Sequence, residues 1–194
     1  MLSLCCDCGA PQAWDHFQLA PLHLTVLDAI LQNDLAPIEA FMTSPDFTAD
    51  HIAYTDVTGK TPLGFAVCLG VVEVVTLMLH HGHDHNICNV LDRERRAPAF
   101  WAVATRNPEM LATCLEYGTD LGVTDSSGYS MMHFAAAQPD STPIMALLLE
   151  AASTQDPELA AAVDTDDKTP LLWTVFNEAA GNVELLLRFH IGYD

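Results

Sequence analysis

The sequence predicts an all-α solenoid, built of stacked helix-turn-helix units joined by β-hairpin-like loops. Three observations carry that prediction. A pattern recurs along the chain, with matching positions at Thr61, Ala97, Ser130 and Thr169, separated by 36, 33 and 39 residues. Each copy opens on a polar turn bearing aspartate and continues into a short apolar helix. A second helix follows with apolar residues at i, i+3, i+4 and i+7 spacing, as in Val71, Val74, Val75 and Met78. A helix pair of this size cannot bury its apolar face alone, so neighbours must stack into one continuous core.

The elements follow in order. A short, weak copy, "VLDAILQNDLAPIEAFM" (26–42), reads as an N-terminal cap. The second unit, "DVTGKTPLGFAVCLGVVEVVTLMLHHGHDHN", begins at Asp56 and the third, "DRERRAPAFWAVATRNPEMLATCLEYGTDL", at Asp92. The fourth starts at Asp125 and the fifth at Asp164. Thr61-Pro62 and Thr169-Pro170 supply a helix N-cap with proline at the first helical position, where its missing N–H costs nothing. Gly70 and Gly181 are expected to turn the chain between helices through positive φ, and Gly82, Gly118 and Gly192 to close second helices. Twelve residues separate Thr169 from Gly181 where nine separate Thr61 from Gly70, so the last first-helix is expected to be longer or bulged. Domain organisation follows: a flexible tail over 1–20, then one domain over 21–194 with units near 22–54, 55–90, 91–123, 124–162 and 163–194.

The segments "TPLGFAV", "APAFWAV", "SMMHFAA" and "TPLLWTV", with "LMLHHGHDHN" and "CLEYGTDLG", resemble the ankyrin repeat, whose period is 33 and whose signature is Thr-Pro-Leu-His followed by Ala. Only His133 keeps the signature histidine. The resemblance covers about residues 22 to 194. "RNP" and "QPDSTP" stand where the inter-helix glycine belongs in the third and fourth units, and "STQDPELAAAV" is extra. The stretch from "LLLEAASTQDPELAAAV" onward is similar to a repeat of the inversin ciliary scaffold, which hints at a ciliary or cytoskeletal location.

Seven Lys and Arg stand against 26 Asp and Glu, a net charge of -19. That balance argues against nucleic acid and anionic membranes, whose affinity rests on basic side chains, and it would attract a basic protein segment. The six cysteines do not form the framework of a small secreted domain, and "MLSLCCDCGAPQ" lacks the features of a secretory signal. No apolar run approaches the roughly 20 residues of a membrane span. An intracellular chain with reduced thiols, cytoplasmic or nuclear, is expected. Cys5, Cys6 and Cys8 read as half a zinc pair, as acylation sites or as incidental thiols in a tail.

Four histidines, His80, His81, His83 and His85, crowd one segment. They read either as ordinary repeat positions, with His83 and His85 entering a hairpin strand, or as a metal-responsive loop. Phe65, Trp101, Phe134 and Trp173 recur at one position, as inter-unit core or as a ladder of rings offered to a peptide. No Gly-x-Ser-x-Gly, phosphate loop or His-Glu-x-x-His occurs, so no catalysis and no cofactor is expected.

The resemblance implies a protein-binding module whose contacts lie on turn tips and on the exposed side of the first helices. It points to Asp92, Arg93, Arg95, Arg96, Ser126, Tyr129, Asp166, Asp167 and Lys168 at the tips, and to Leu69, Thr105 and Gln138 along the helices. Asn86 matches a position that iron-dependent oxygenases hydroxylate in some ankyrin domains. No polar helix caps the last unit, so Leu185, Leu186 and Leu187 are expected on a partly uncovered face. Such a face belongs to a longer chain, to a partner or to a second copy; the alternative to the binding module is a regulatory or targeting fragment of a larger enzyme or ciliary scaffold.

Overall fold

A computed structural model of the chain describes residues 21–192 apart from 46, 48–50, 52 and 56–58. The expected tail at 1–20, with Cys5, Cys6 and Cys8, lies outside the described residues. Five helix pairs follow one another: α1 (Pro21–Gln32) with α2 (Leu35–Met42), α3 (Pro62–Leu69) with α4 (Val72–Gly82), and α5 (Pro98–Ala104) with α6 (Pro108–Glu116). Then come α7 (Met131–Ala136) with α8 (Thr142–Gln155) and α9 (Pro170–Phe176) with α10 (Ala180–Gly192). The described residues contain no strand, only one isolated antiparallel bridge between Thr124 and Ser130.

Helix starts lie where the sequence places them. Thr61 Oγ1 accepts from the Gly64 N–H at 3.1 Å and Thr169 Oγ1 from Leu172 at 3.3 Å. Each such cap contributes on the order of 1 kcal/mol. Ala97 has no side chain to cap with, and α5 relies on Pro98 in its first turn.

First helices pack in one row, α3 on α5 on α7 on α9, and second helices in another, α2 on α4 on α6 on α8 on α10. The core runs continuously between the rows. Val67, Val75, Met78, Val103, Leu111, Met145 and Leu148 are fully buried. Each stabilises the stack by about 1.5–3 kcal/mol relative to exposure.

Two glycine expectations, and the longer helix inferred from one of them, are corrected. Gly181 lies within α10, and the left-handed turn between α9 and α10 is made by Glu178 at φ 55°. Glu178 stands nine residues after Thr169, as Gly70 (φ 75°) does after Thr61 and Arg106 (φ 55°) after Ala97. The last first-helix is therefore neither longer nor bulged; it has seven residues against eight in α3. Gly82 sits at φ −94°, and Asn86 takes the left-handed conformation at φ 54°. What requires glycine at position 82 is space, since a Cβ there would lie 2.3 Å from Ile87 Cδ1. The additional residues of the fourth unit are absorbed by a 14-residue α8 and a 3₁₀ turn at Pro157–Ala161.

Candidate partner-binding surface

Three tips share one construction. The carboxylate Oδ1 of Asp92 accepts from the N–H of Glu94 and Arg96 (2.8 and 2.9 Å), that of Asp125 from Ser127 and Tyr129, and that of Asp164 from Asp166 and Lys168. In each tip the aspartate N–H donates to the carbonyl four residues on, at 2.9–3.0 Å. The residue two before the N-cap is left-handed in the second to fifth units: Gly59, Arg95, Gly128 and Asp167. Glycine marks this turn in two units, while Arg95 and Asp167 take the same place without it. Their constant offset from Ala97 and Thr169 was the available signal.

Tips are tied to their neighbours as well. Arg93 N–H donates to Gly59 O (3.1 Å) and its Nε to Thr55 Oγ1 (2.8 Å). Ser126 donates through N–H and Oγ to Glu94, both at 2.8 Å, and Thr165 Oγ1 donates to Ser127 O at 3.0 Å. The tips thus form a continuous, preorganised ridge, which lowers the ordering cost of binding.

The expected contact residues differ in exposure. Arg93, Arg95, Ser126, Asp166 and Asp167 are exposed on the ridge. Asp92 is buried and Arg96 half-buried, joined by an ion pair at 3.0 Å, so both belong to the tip's interior. Tyr129 and Lys168 are half-buried against Trp173, whose ring centroid lies 5.5 Å from that of Tyr129 and 5.7 Å from Lys168 Nζ. Along the first helices Leu69, Thr105 and Gln138 occupy one row and are half-exposed. Thr105 Oγ1 donates to Trp101 O (2.8 Å), and Gln138 Nε2 to Val103 O (3.3 Å), which links adjacent units.

The recurring aromatic residues are core in three units and half-buried in the fifth. Phe65, Trp101 and Phe134 are buried, and Lys60 Nζ and the Arg96 guanidinium lie over the Trp101 ring, 4.3 and 4.4 Å from its centroid. Gly64 makes room, since a Cβ there would stand 3.2 Å from Trp101 Cδ1.

His133, the retained signature histidine, cross-links units. Its Nδ1 accepts from the Ser130 N–H at 3.2 Å, which leaves the ring proton on Nε2 to donate to Lys168 O at 3.0 Å. Burial holds its pKa below the ordinary histidine value. Burial alone would raise the Asp164 carboxyl, but hydrogen bonds from Lys168, Trp173 and Asp166 outweigh it and hold the pKa below the usual range.

The histidine cluster diverges. His83 and His85 lie on a 3₁₀ turn (His83–His85), not in a hairpin strand. His80 faces His81 at 5.2 Å between centroids, His83 faces Tyr117 at 6.1 Å and His85 faces Phe47 at 5.1 Å. Among the described residues no three His, Cys, Asp or Glu side chains are arranged to hold a metal ion. Asn86 is exposed, with its Oδ1 accepting from Asn89 Nδ2 at 2.9 Å. Asn89 in turn clamps the next unit, donating to Gly118 O and accepting from the Asp120 N–H. Cys68, Cys88 and Cys114 are buried, and burial pushes the Cys114 thiol up to about 12.

Stacked helical hairpins carrying an ordered ridge of polar tips define the class: a helical repeat protein. The ankyrin repeat family model matches residues 58–90. Residues 58–90 thus carry an ankyrin repeat. The chain is 26% identical over 162 residues to palmitoyltransferase AKR1 of Lachancea kluyveri, an alignment covering 83% of this chain. The chain spans about a fifth of that relative's length, 21%. No helix among the described residues is long and apolar enough to cross a membrane.

Proposed function

We propose that this chain is a non-catalytic adaptor, with five repeats over 21–194, that holds a protein partner across its tip ridge and first helices. The observation that supports this reading is the ridge itself, fixed unit to unit before any partner arrives. Its charge is graded. Exposed Arg93 and Arg95 stand on the third tip, while Asp166 and Asp167 stand on the fifth. A basic or amphipathic segment is the favoured occupant, lying with its basic end at the fifth unit, drawn in by the net charge of -19. The adaptor acts in the cytoplasm or nucleus, with ciliary or cytoskeletal sites included.

Pull-down or proximity labelling with the wild type and with Arg93→Glu plus Arg95→Glu identifies the partner. A partner set untouched by those substitutions and by Asp166→Lys removes the tips from the reading. Binding that does not weaken between low and high salt removes its electrostatic part. The likeness to a segment of a larger transferase supports a second reading, in which this region regulates or targets an enzyme. Recovery of a catalytic protein as the stoichiometric partner, or as a continuation of the same transcript, would favour it.

A further inference from the structure

Charge is unevenly laid along the chain. Five of its seven basic side chains fall between Lys60 and Arg106 against four acidic ones, so this stretch carries +1 and the remainder -20. Four of those five are engaged. Arg96 pairs with Asp92, Arg93 Nε donates to Thr55 Oγ1, Lys60 lies over the Trp101 ring, and Arg106 reaches Asp140 at 3.9 Å. Arg95 is exposed, and its guanidinium has no hydrogen bond or ion pair among the described residues.

That guanidinium is carried on an unfavourable backbone. Arg95 has φ 63° at the tip position that glycine fills in the second and fourth units. At Gly59 and Gly128 a Cβ would meet the second residue of the following tip, Arg93 Cβ at 3.3 Å and Thr165 Cγ2 at 2.7 Å. After Arg95 that residue is Ser126, the smallest of the three. Room therefore explains why the third tip accepts a side chain, but not why the side chain is arginine. Asparagine and aspartate ease the left-handed conformation through a short polar group, and arginine has none. Strain kept beneath an exposed charge that no neighbour uses points to a ligand outside the fold.

The third and fifth tips set the charges of that ligand. Asp166 and Asp167 are exposed on the fifth tip. The fourth tip, between them, carries only Asp125, which is half-buried and turned to the N–H groups of Ser127 and Tyr129. Neighbouring helices pack about 8–10 Å apart, so two units separate Arg95 from Asp167 by roughly 16–20 Å. The first helices bury every residue over 62–68, 98–103 and 131–136, which leaves a bound helix no open floor beside the tips. An extended chain can follow the tips themselves, and at about 3.3 Å per residue it crosses that distance in about five or six residues. We infer that Arg95 docks an aspartate or glutamate of an extended partner segment, and that a lysine or arginine about five or six residues from it meets Asp166 and Asp167. This rests on the adaptor reading and deepens it: the partner is not uniformly basic but holds one acid in fixed register with a base.

Selection of random phage-displayed peptides of about 16 residues against the full chain, followed by fluorescence anisotropy of the synthetic peptides at low salt, tests this. The expected binders carry an acidic and a basic residue about five or six positions apart. Arg95→Gly, which relieves the backbone, is expected to bind them about fivefold more weakly, the upper worth of an exposed ion pair, while melting no lower than the wild type. A peptide with its acid and base exchanged should prefer the variant that combines Arg95→Asp with Asp166→Lys and Asp167→Lys. Binders without the spacing, or binders lost in Arg93→Glu yet indifferent to Arg95→Gly, overturn the inference and leave the tip ridge as a binding surface. A selection that yields no binder overturns both.

Discussion

The indole Nε1 of Trp173 donates to Asp164 Oδ2 at 2.7 Å, tying the first helix of the fifth unit to its own tip. Trp101 holds the same position in the third unit, yet its Nε1 is buried with no partner among the described residues. The difference lies in the competitor. Asp92, the counterpart of Asp164, gives its Oδ2 to Arg96 Nε at 3.0 Å, while Lys168 turns its ammonium to Asp166 at 2.8 Å and leaves Asp164 to the indole. Double-mutant cycles in urea separate the two cases. The Trp173→Phe and Asp164→Asn pair is expected to show a coupling of about 1–2 kcal/mol, as for a hydrogen bond to a charged acceptor. The Trp101→Phe and Asp92→Asn pair should couple within about 0.5 kcal/mol of zero. Equal couplings would contradict this account.

Arg95 at φ 63° and Asp167 at φ 57° occupy the left-handed position that Gly59 and Gly128 fill in the other units. A side chain there meets the following carbonyl, at a cost of roughly 1–2 kcal/mol that aspartate partly avoids. Arg95→Gly is therefore expected to raise stability by about 1 kcal/mol, and Asp167→Gly by less. The reverse change, Gly128→Ala, loses stability through strain and through contact with Thr165 Cγ2, which would lie 2.7 Å from the new Cβ. Thermal melts of the three variants check the order. An Arg95→Gly protein that melts below the wild type would show that the arginine's other contacts outweigh its backbone strain.

Repeat phase, helix starts and the stacked core were legible because Thr-Pro pairs and i, i+3, i+4 apolar stripes are local signals with one physical meaning. Conformation at single turn residues was not. Glycine alone does not mark positive φ, since Arg106, Glu178, Arg95, Asp167 and Asn86 adopt it as well. Gly82 shows the converse, a glycine kept for close approach. The contact surface was legible as a set of tips, whereas the division between exposed Arg93 and Arg95 and the interior pair Asp92–Arg96 depends on which side chain turns inward. No periodicity encodes that choice.

Acid should weaken the stack in two separable stages. His133 is neutral in the fold, with its pKa held below the unfolded value of 6.5. A base depressed in the folded state contributes its full stability above the unfolded pKa and loses it as pH falls below 6.5 toward the folded value. Protonating Nδ1 also replaces the acceptor of the Ser130 N–H with a donor. Asp164, held below 3.8, adds a second loss only at pH under that value. Urea midpoints are expected to fall between pH 7 and 5 in the wild type and to fall less in His133→Gln. Parallel slopes in the two proteins would assign the first stage to other groups.

Gly82 and Ile87 offer a test in which the sign of a substitution reverses. A Cβ at position 82 would stand 2.3, 2.7 and 2.9 Å from Ile87 Cδ1, Cγ1 and Cγ2, and Ile87 is 1% exposed with little room to retreat. Overpacking of this kind costs about 1–3 kcal/mol. It opposes the gain of up to about 1 kcal/mol that alanine brings over glycine in a helix, and at the last residue of α4 that gain is smaller. Gly82→Ala alone is therefore expected to destabilise the protein. Ile87→Ala alone destabilises it too, by about 2–5 kcal/mol through the cavity it leaves. Once all three branch atoms of Ile87 are gone the clash disappears, so adding Gly82→Ala to Ile87→Ala should be neutral or stabilising. If Gly82→Ala costs the same in both backgrounds, the glycine serves the backbone at the end of α4 and not the approach of Ile87.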